Sequence, residues 1–529
     1  MTPTDHEVAT DGGENESFVE YGIDEKPPLG ESILLGFQHY LTMIGATIAI
    51  PLALAGAMGM FESAPGEVAR LIGTFFVVSG IATLAQTTIG NRYPIVQGGT
   101  FSMLAPALAI IGALGAQGAG YQLMLRELQG AIIVAALFEV VIGYSGAMGR
   151  LKRYMSPVVI APVIALIGLA LFNTPQIVNP NFGGPGTGQN WWLMGLTLLL
   201  IIAFSQYLDK YSRAARLFPV LLGVGTAWVV AAALTAAGVY APGSISGVNF
   251  QQVANANAFQ PIYPLQWGMP LVTPGFVVGM FAGVVASMIE SFGDYHAVAR
   301  LAGVSAPSRK RINHGIGMEG LGNVFAGIMG TGNGSTSYSE NIGAIGITGV
   351  ASRYVVQIGA IVMIVVGYVG YFGQLVATIP APIVGGLFIA MFGQIAAVGL
   401  ANLKYVDLDS SRNAFIIGLS LFAGLAIPSY MSNVGQGMDA GGAEAFQQGL
   451  SNVAVLGPVL GNDVVATTLF VVGGTGMAVG GIIAFVLDNT VQGTRDERGL
   501  TQWEAIAEED FQSIFDRMRG GGEEAPAAD

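Results

Sequence analysis

Cysteine is absent from the 529 residues, which removes disulfides, thiol chemistry and thiolate metal sites. Charge is scarce as well. Asp, Glu, Lys and Arg together make up 10% of the chain, where a soluble protein carries about 25%, so there are too few charges to cover a water-facing surface. No His-Glu-x-x-His and no Gly-x-Ser-x-Gly occurs, which leaves zinc-protease and hydrolase chemistry without an anchor. No metal, no cofactor and no enzymatic activity is expected. What fills the chain instead is apolar: 52% of residues are hydrophobic and the mean hydropathy is +0.59. Runs near the ~20 residues that cross a bilayer as a helix recur from Ile33 almost to Asp488. The composition is that of an all-α polytopic membrane protein embedded in a lipid bilayer.

The net charge of −13 is confined to the two ends. Residues 1–30 hold eight acids and one Lys, which gives −7. Residues 491–529 hold ten acids and four Arg, which gives −6. The stretch between them has 16 acids and 16 bases and is neutral. Both ends read as solvated acidic tails. They argue against nucleic acid as a partner, because phosphate binding needs Lys and Arg. The acidic N-terminus has no basic region ahead of an apolar core, so the first span, Ile33 to Leu54, is expected to act as the insertion signal itself.

Fourteen apolar segments are expected, near 33–54, 70–89, 100–116, 130–149, 157–172, 191–207, 217–238, 272–297, 314–329, 338–349, 354–371, 374–399, 412–429 and 462–487. Two of them are short and follow Gly-rich stretches: 100–116 after Tyr93 to Thr100, and 338–349 after Gly332 to Ser337. They are third in the first seven and third in the second seven. Short, Gly-interrupted segments at matching places in two halves indicate an inverted repeat whose broken helices meet near the bilayer midplane. The expected organisation is an acidic tail over 1–30, a first inverted repeat over 31–238, an extracellular loop over 239–271, a second inverted repeat over 272–490 and an acidic tail over 491–529. Basic clusters follow segments 4, 6, 8 and 12: Arg150/Lys152/Arg153, Lys210/Arg213/Arg216, Arg300/Arg309/Lys310/Arg311 and Lys404/Arg412. Loops 173–190, 239–271 and 431–461 contain no Lys or Arg. The positive-inside rule then places the basic loops and both tails in the cytoplasm of a cell-membrane protein.

Carboxylates at membrane depth mark function, because each costs roughly 2.5–3.5 kcal/mol to insert. Glu290 and Asp294 lie at i and i+4 on one helix face. Glu340 opens the second broken segment, Glu319 lies in the segment before it, and Glu139 has no motif around it and reads as an interhelical bond. No Lys or Arg accompanies these acids at that depth, which favours a cation or a flat ring that donates two adjacent N–H groups to a carboxylate. Uracil and xanthine present such patterns. An anion channel or exchanger would need a positive site. Glu290 and Glu340 are read as ligands. Asp294 divides evenly between a structural and a functional role, and Glu319 is more a bond to a neighbouring helix than a substrate contact. Phe101, at the start of the first broken segment, is placed to stack on a flat ring, although packing is the commoner use of such a residue. Gln38 and His39 lie early in the first span, where His39 divides evenly between a coupling and a structural role. His296 and His314 flank a basic loop and are expected to be solvated.

These residues resemble the nucleobase–ascorbate transporters, the nucleobase:cation symporter family 2. The family signature is Gln, Glu or Pro, then Asn-x-Gly, four variable residues, Thr, and Arg, Lys or Gly. Glu340-Asn341-Ile342-Gly343-Ala344-Ile345-Gly346-Ile347-Thr348-Gly349 matches it in full. Met288 to Tyr295 resembles the eighth-helix motif of purine and ascorbate members, and Glu319 to Thr336, Asp407 to Asn413 and Gly493 to Gly499 resemble the animal branch. The resemblance implies two inverted seven-segment repeats split into core and gate domains. It implies that Glu290, Glu340, Phe101 and Ser339 contact the base, that Asn341 holds the broken helix, and that Gln38, His39, Asp294 and Glu319 serve coupling or site architecture. It also implies a homodimer and a co-transported H⁺ or Na⁺. The Glu before Asn341 resembles uracil and broad nucleobase members. The expected activity is therefore import of a nucleobase such as uracil or xanthine, with ascorbate:Na⁺ symport as the alternative.

Overall fold

The computed structural model describes residues 19–148, 154–178, 190–434, 442–500 and 511, apart from the side chains of Pro175, Glu340 and Ile347. The cluster Arg150/Lys152/Arg153 and most of both acidic tails lie outside the described residues. The chain is helical almost throughout. Its main elements are α1 (Leu29–Ala57), α2 (Pro65–Thr88), β1 (Gln97–Gly98), α3 (Phe101–Gly115), α4 (Tyr121–Tyr144), α5 (Pro157–Leu169), α6 (Trp191–Ile202), α7 (Pro219–Ala236), α8 (Pro274–Leu301), α9 (Arg309–Met329), β2 (Thr336–Ser337), α10 (Ser339–Thr348), α11 (Arg353–Tyr368), α12 (Ala381–Ala401), α13 (Ser411–Asn433), α14 (Asp463–Gly473) and α15 (Gly476–Thr490).

Proline starts α2, α5, α7 and α8, where its missing N–H would have no helical partner in any case. Gly330 ends α9 and Gly349 ends α10, both in the left-handed conformation that glycine adopts without penalty. Among the described residues, six helices are long and apolar enough to cross a membrane, or seven if α14 and α15 count as one span. Four shorter apolar helices, including α3 and α5, accompany them. Large apolar side chains such as Phe138, Phe415 and Phe422 point outward, as they do where the surrounding solvent is lipid.

The same order of elements occurs twice. Two long helices, a two-residue strand and a short helix form α1-α2-β1-α3 and again α8-α9-β2-α10. The strands pair antiparallel, Gln97 with Ser337 and Gly98 with Thr336. Since α3 and α10 continue directly from antiparallel strands, they leave the crossing in opposite directions, as inverted repeats require. The crossing is tight. A Cβ on Gly98 would lie 2.5 Å from the Tyr338 ring, so only glycine lets the strands meet there.

Packing sorts the helices into two groups. α4 packs on α8 and α9, and α11 on α1 and α2; α5 packs on α12 and α15, α6 on α7 and α12, and α13 on α15.

Two expectations need correction. The last apolar run, read as one segment over 462–487, is two helices bent by 92° between α14 and α15. Gly473, Gly474 and Gly476 surround the bend, and a Cβ on Gly476 would lie 2.3 Å from the Gly424 carbonyl. The close approach of α13 therefore requires glycine where the helix breaks. The tails are also not solvated up to their membrane ends. The N–H groups of Glu20 and Tyr21 donate to the Gly349 carbonyl, and Asp24 pairs with Arg353 at 2.6 Å. At the other end, Arg412 and Arg498 both reach the buried Asp488 carboxylate, at 2.9 and 2.7 Å, and Ser156 donates to it at 2.7 Å. Beside this cluster the Ser410 hydroxyl donates to Glu497 and holds that carboxyl below its ordinary pKa.

Candidate substrate site

A cavity of about 480 Å³ lies between the two helix groups. One wall carries Thr42 of α1, Gly99 and Phe101 beside the crossing, Glu290 and Asp294 of α8, and Thr336, Tyr338 and Ser339. The other wall is mainly apolar, with Ile160 and Ile164 of α5, Val220 of α7, and Met391 and Ile395 of α12, and it also carries Gln394 of α12. The i, i+4 spacing predicts Glu290 and Asp294 on one face, and both line the cavity. The Ser339 hydroxyl donates to Asp294 Oδ1 at 2.8 Å, which ties α8 to the first turn of α10. The Phe101 ring stands edge-on to Phe392, with centroids 5.8 Å apart at 82°, so one aromatic from each helix group meets at the cavity edge. Glu340 follows Ser339 in the first turn of α10; its side chain lies outside the described part.

The basic residues that line the cavity, Arg216, Arg300 and Lys404, sit at its mouth. Arg300 is ten residues beyond Glu290 on α8, on the order of 15 Å along the axis. The charges are thus separated: carboxylates at the floor, cations at the rim. His296, expected to be solvated, is half-buried on the same wall, with Nδ1 2.8 Å from the Phe292 carbonyl. The i−4 carbonyl and the Phe292 ring hold it against the helix.

The other predicted residues lie behind the crossing. Glu319 is buried and does not line the cavity. Its carboxylate accepts hydroxyls from Ser287 at 2.7 Å, Ser291 at 2.5 Å, Thr336 at 3.0 Å and Tyr295 at 3.4 Å. A carboxylate accepts at up to about four lone-pair sites, and all are used here. Glu319 is therefore a node joining α8, α9 and β2. Glu139 of α4 is equally buried and accepts from the Asn323 amide at 2.7 Å, the interhelical bond expected of it.

Asn341 holds the crossing from the other side. Its Oδ1 accepts the Val96 N–H at 2.9 Å, and its Nδ2 lies 3.2 Å from His39 Nδ1. Gln38 is half-buried on α1 and does not line the cavity.

Sequence reasoning misses several residues that build this frame. Asn333 Oδ1 accepts the Thr100 N–H at 2.8 Å, mirroring Asn341. Gln97 donates to Ser337 at 3.0 Å, and Gln86 donates to Tyr295 at 2.9 Å. The signal for Asn333 and Ser337 lies in the hydroxyl- and amide-rich run Gly332 to Ser337. Gln86 and Tyr295 carry no comparable mark. Among the described residues no group of three or more His, Cys, Asp or Glu could hold a metal ion.

A helical frame with two crossed short helices and a carboxylate-floored cavity between two helix groups defines a polytopic membrane transporter. Solved structures share the frame. The transmembrane domain of a cyanobacterium bicarbonate transporter, BicA, superposes with a TM-score of 0.51 at 19% identity, covering 77% of this chain and 99% of that one. The murine Solute Carrier 26 family member A9 anion transporter, in its inward-facing state, superposes with a TM-score of 0.54 at 13% identity, covering 76% of this chain and 66% of that one. At these identities the likeness is one of fold alone.

Sequence relatives are much nearer. Solute carrier family 23 member 1 of Mus musculus is 40% identical, over 92% of this chain and 82% of its own length. Solute carrier family 23 member 2 of Homo sapiens is 40% identical, over 91% and 76%. Nucleobase-ascorbate transporter 1 of Arabidopsis thaliana is 37% identical, over 92% of both chains. Residues 30–432 match the Permease family model. The chain belongs to the nucleobase–ascorbate transporter family, whose members are membrane transporters and not enzymes.

Proposed function

We propose that the protein is a secondary active symporter that imports a nucleobase, such as uracil or xanthine, together with H⁺ or Na⁺. The observation that carries this reading is the cavity floor: Glu290 and Asp294 face one space, and the Lys and Arg that line it stand only at the rim. A carboxylate there accepts two adjacent N–H groups of a flat ring in one plane, and Phe101 lines the same space. In this reading Glu290, Glu340, Phe101 and Ser339 contact the base. Asn341 fixes the crossing, and Gln38, His39, Asp294 and Glu319 couple the site to the cation or maintain its frame.

Transport would proceed by alternating access, with the crossing-bearing group, the core, moving against the gate group around the site. The cavity reaches Arg216, Arg300 and Lys404 of three basic clusters, and the positive-inside rule assigns those clusters to the cytoplasm; the conformation described here is then inward-facing. The two inverted repeats over 31–238 and 272–490, the extracellular loop over 239–271, the cytoplasmic termini, a cell-membrane location and a homodimer complete the proposal.

Ascorbate:Na⁺ symport is the second reading. The cationic rim favours it, and the name of the plant relatives, nucleobase-ascorbate transporter, includes ascorbate.

Proteoliposomes with imposed H⁺ or Na⁺ gradients test both. Gradient-driven uptake of radiolabelled uracil or xanthine, unaffected by unlabelled ascorbate, supports the first reading and names the cation. Ascorbate uptake with no uptake of either base overturns it in favour of the second.

A further inference from the structure

The substrate reading uses the floor of the cavity and leaves its rim unused. Arg216, Arg300 and Lys404 line the same space as Glu290 and Phe101. They come from three separate places in the chain: the short helix Arg213–Leu217 before α7, the end of α8 and the turn after α12. All three are exposed, and among the described residues no carboxylate pairs with any of them. Lys404 Nζ lies 4.8 Å from the centre of the Tyr405 ring, and the Arg216 guanidinium donates to the backbone carbonyl of Asp209 at 3.3 Å. These contacts position the charges without neutralising them. Three cations around one opening with low-dielectric walls focus a positive field into it.

The cavity is also longer than a base requires. About 480 Å³ falls within the roughly 300–1,000 Å³ range of pockets that take drug-sized ligands. Floor and rim are separated by ten residues of α8. A ligand filling both ends would join a flat, N–H-bearing ring to an anionic group through a short polar spacer.

We propose that the inward-open cavity binds a nucleoside monophosphate, with its base on the carboxylate floor and its phosphate at Arg216, Arg300 and Lys404, and that this ligand blocks the cavity from the cytoplasmic side. The proposal rests on the nucleobase reading of the floor. Arg suits it because its planar fork matches phosphate oxygens. The ring would sit with its sugar-bearing nitrogen toward the mouth. Such a ligand is the product of any reaction that traps an imported base by attaching ribose phosphate to it. The rim would then let that product hold the transporter inward-facing and slow further import.

The test is displacement of a radiolabelled base from the purified full-length protein in detergent, where both faces are accessible. With uracil bound, the competitors are UMP, uridine and inorganic phosphate; with xanthine bound, they are XMP, xanthosine and inorganic phosphate. The expected result is displacement by the monophosphate at a concentration at least tenfold below that for the nucleoside, and no displacement by inorganic phosphate. The double variant Arg300→Gln/Lys404→Gln should remove this tenfold advantage and leave the affinity for the base itself unchanged, which also shows that the variant is folded. Equal potency of nucleotide and nucleoside in the unaltered protein, an advantage that survives the double substitution, or displacement by inorganic phosphate alone would each overturn the proposal. Failure of either base to bind at all would instead overturn the floor reading and this proposal with it, so the two failures are distinguishable.

Discussion

Asn341 Nδ2 lies 3.2 Å from His39 Nδ1, joining the first span to the second broken helix across 302 residues of sequence. The amide oxygen is already taken by the Val96 N–H, so the amide nitrogen must donate and the ring nitrogen must accept. The His39 ring is therefore neutral in this arrangement, with its proton on Nε2. Asn341→Ala leaves the buried Val96 N–H without its partner, at a cost of about 1–3 kcal/mol. Thermal unfolding in detergent should show a lowered Tm, and His39→Phe should lower it less, since it spares the Val96 bond. A Tm unchanged in Asn341→Ala would rule out this bond as a support of the crossing.

Glu290→Gln should weaken base binding with folding retained. The amide places donors against the donors of the base, which costs on the order of 1–3 kcal/mol, or roughly 5- to 150-fold in Kd. Equilibrium binding together with a melting curve separates the two effects. Normal affinity in this variant would remove Glu290 from the site.

Substitution at Glu340 should redistribute preference among bases, because it alters one acceptor at the head of α10. Uptake of uracil, xanthine and hypoxanthine by Glu340→Gln, set beside the parent protein, reads this directly. An unchanged profile would mean that the residue before Asn341 does not set specificity.

Glu319→Gln should behave differently from Glu290→Gln. Four hydroxyls donate to this carboxylate, and an amide cannot accept all of them. Bonds to a charged acceptor contribute about 1.5–3 kcal/mol each, so the expected result is a clear fall in Tm together with loss of transport. Loss of transport at full stability would instead mark Glu319 as a coupling group.

Asp488 is fully buried between Arg412 and Arg498. Removing one partner of such a group leaves uncompensated charge, typically about 3–5 kcal/mol. Asp488→Ala should therefore express poorly or melt early, and more so than Asp24→Ala, whose carboxylate is 64% exposed beside Arg353. Equal melting temperatures for the two variants would contradict this ordering.

Much of the frame is legible in the chain because membrane helices announce themselves by length and hydropathy, and because Gly-rich breaks at matching places signal inversion. The two short segments expected at 100–116 and 338–349 appear as α3 and α10, within a residue at each end. Glu290 and Asp294 are legible as a pair because helical spacing alone puts them on one face. The hydroxyl cage of Glu319 is not, since Ser287, Ser291 and Thr336 look like any small residues at a packed helix contact. The break between α14 and α15 is hidden for a related reason: glycines are common in tightly packed spans, and hydropathy does not register a 92° turn. His296 reads as solvated because a basic stretch opens one turn further on, at Arg300, whereas its place on α8 turns it into the cavity.

The pairing of Gln97 with Ser337 bridges 240 residues, and this dictates when the site can exist. During synthesis Val96, whose carbonyl accepts the Tyr338 N–H and whose N–H donates to Asn341, must wait until β2 and α10 have been made. Closing so long a loop is entropically unfavourable and kinetically slow. The substrate site is thus among the last parts of the molecule to form, and neither half alone can hold it. Halves divided between Gly238 and Val272 and co-expressed would have to find each other through this two-residue ladder before any transport begins.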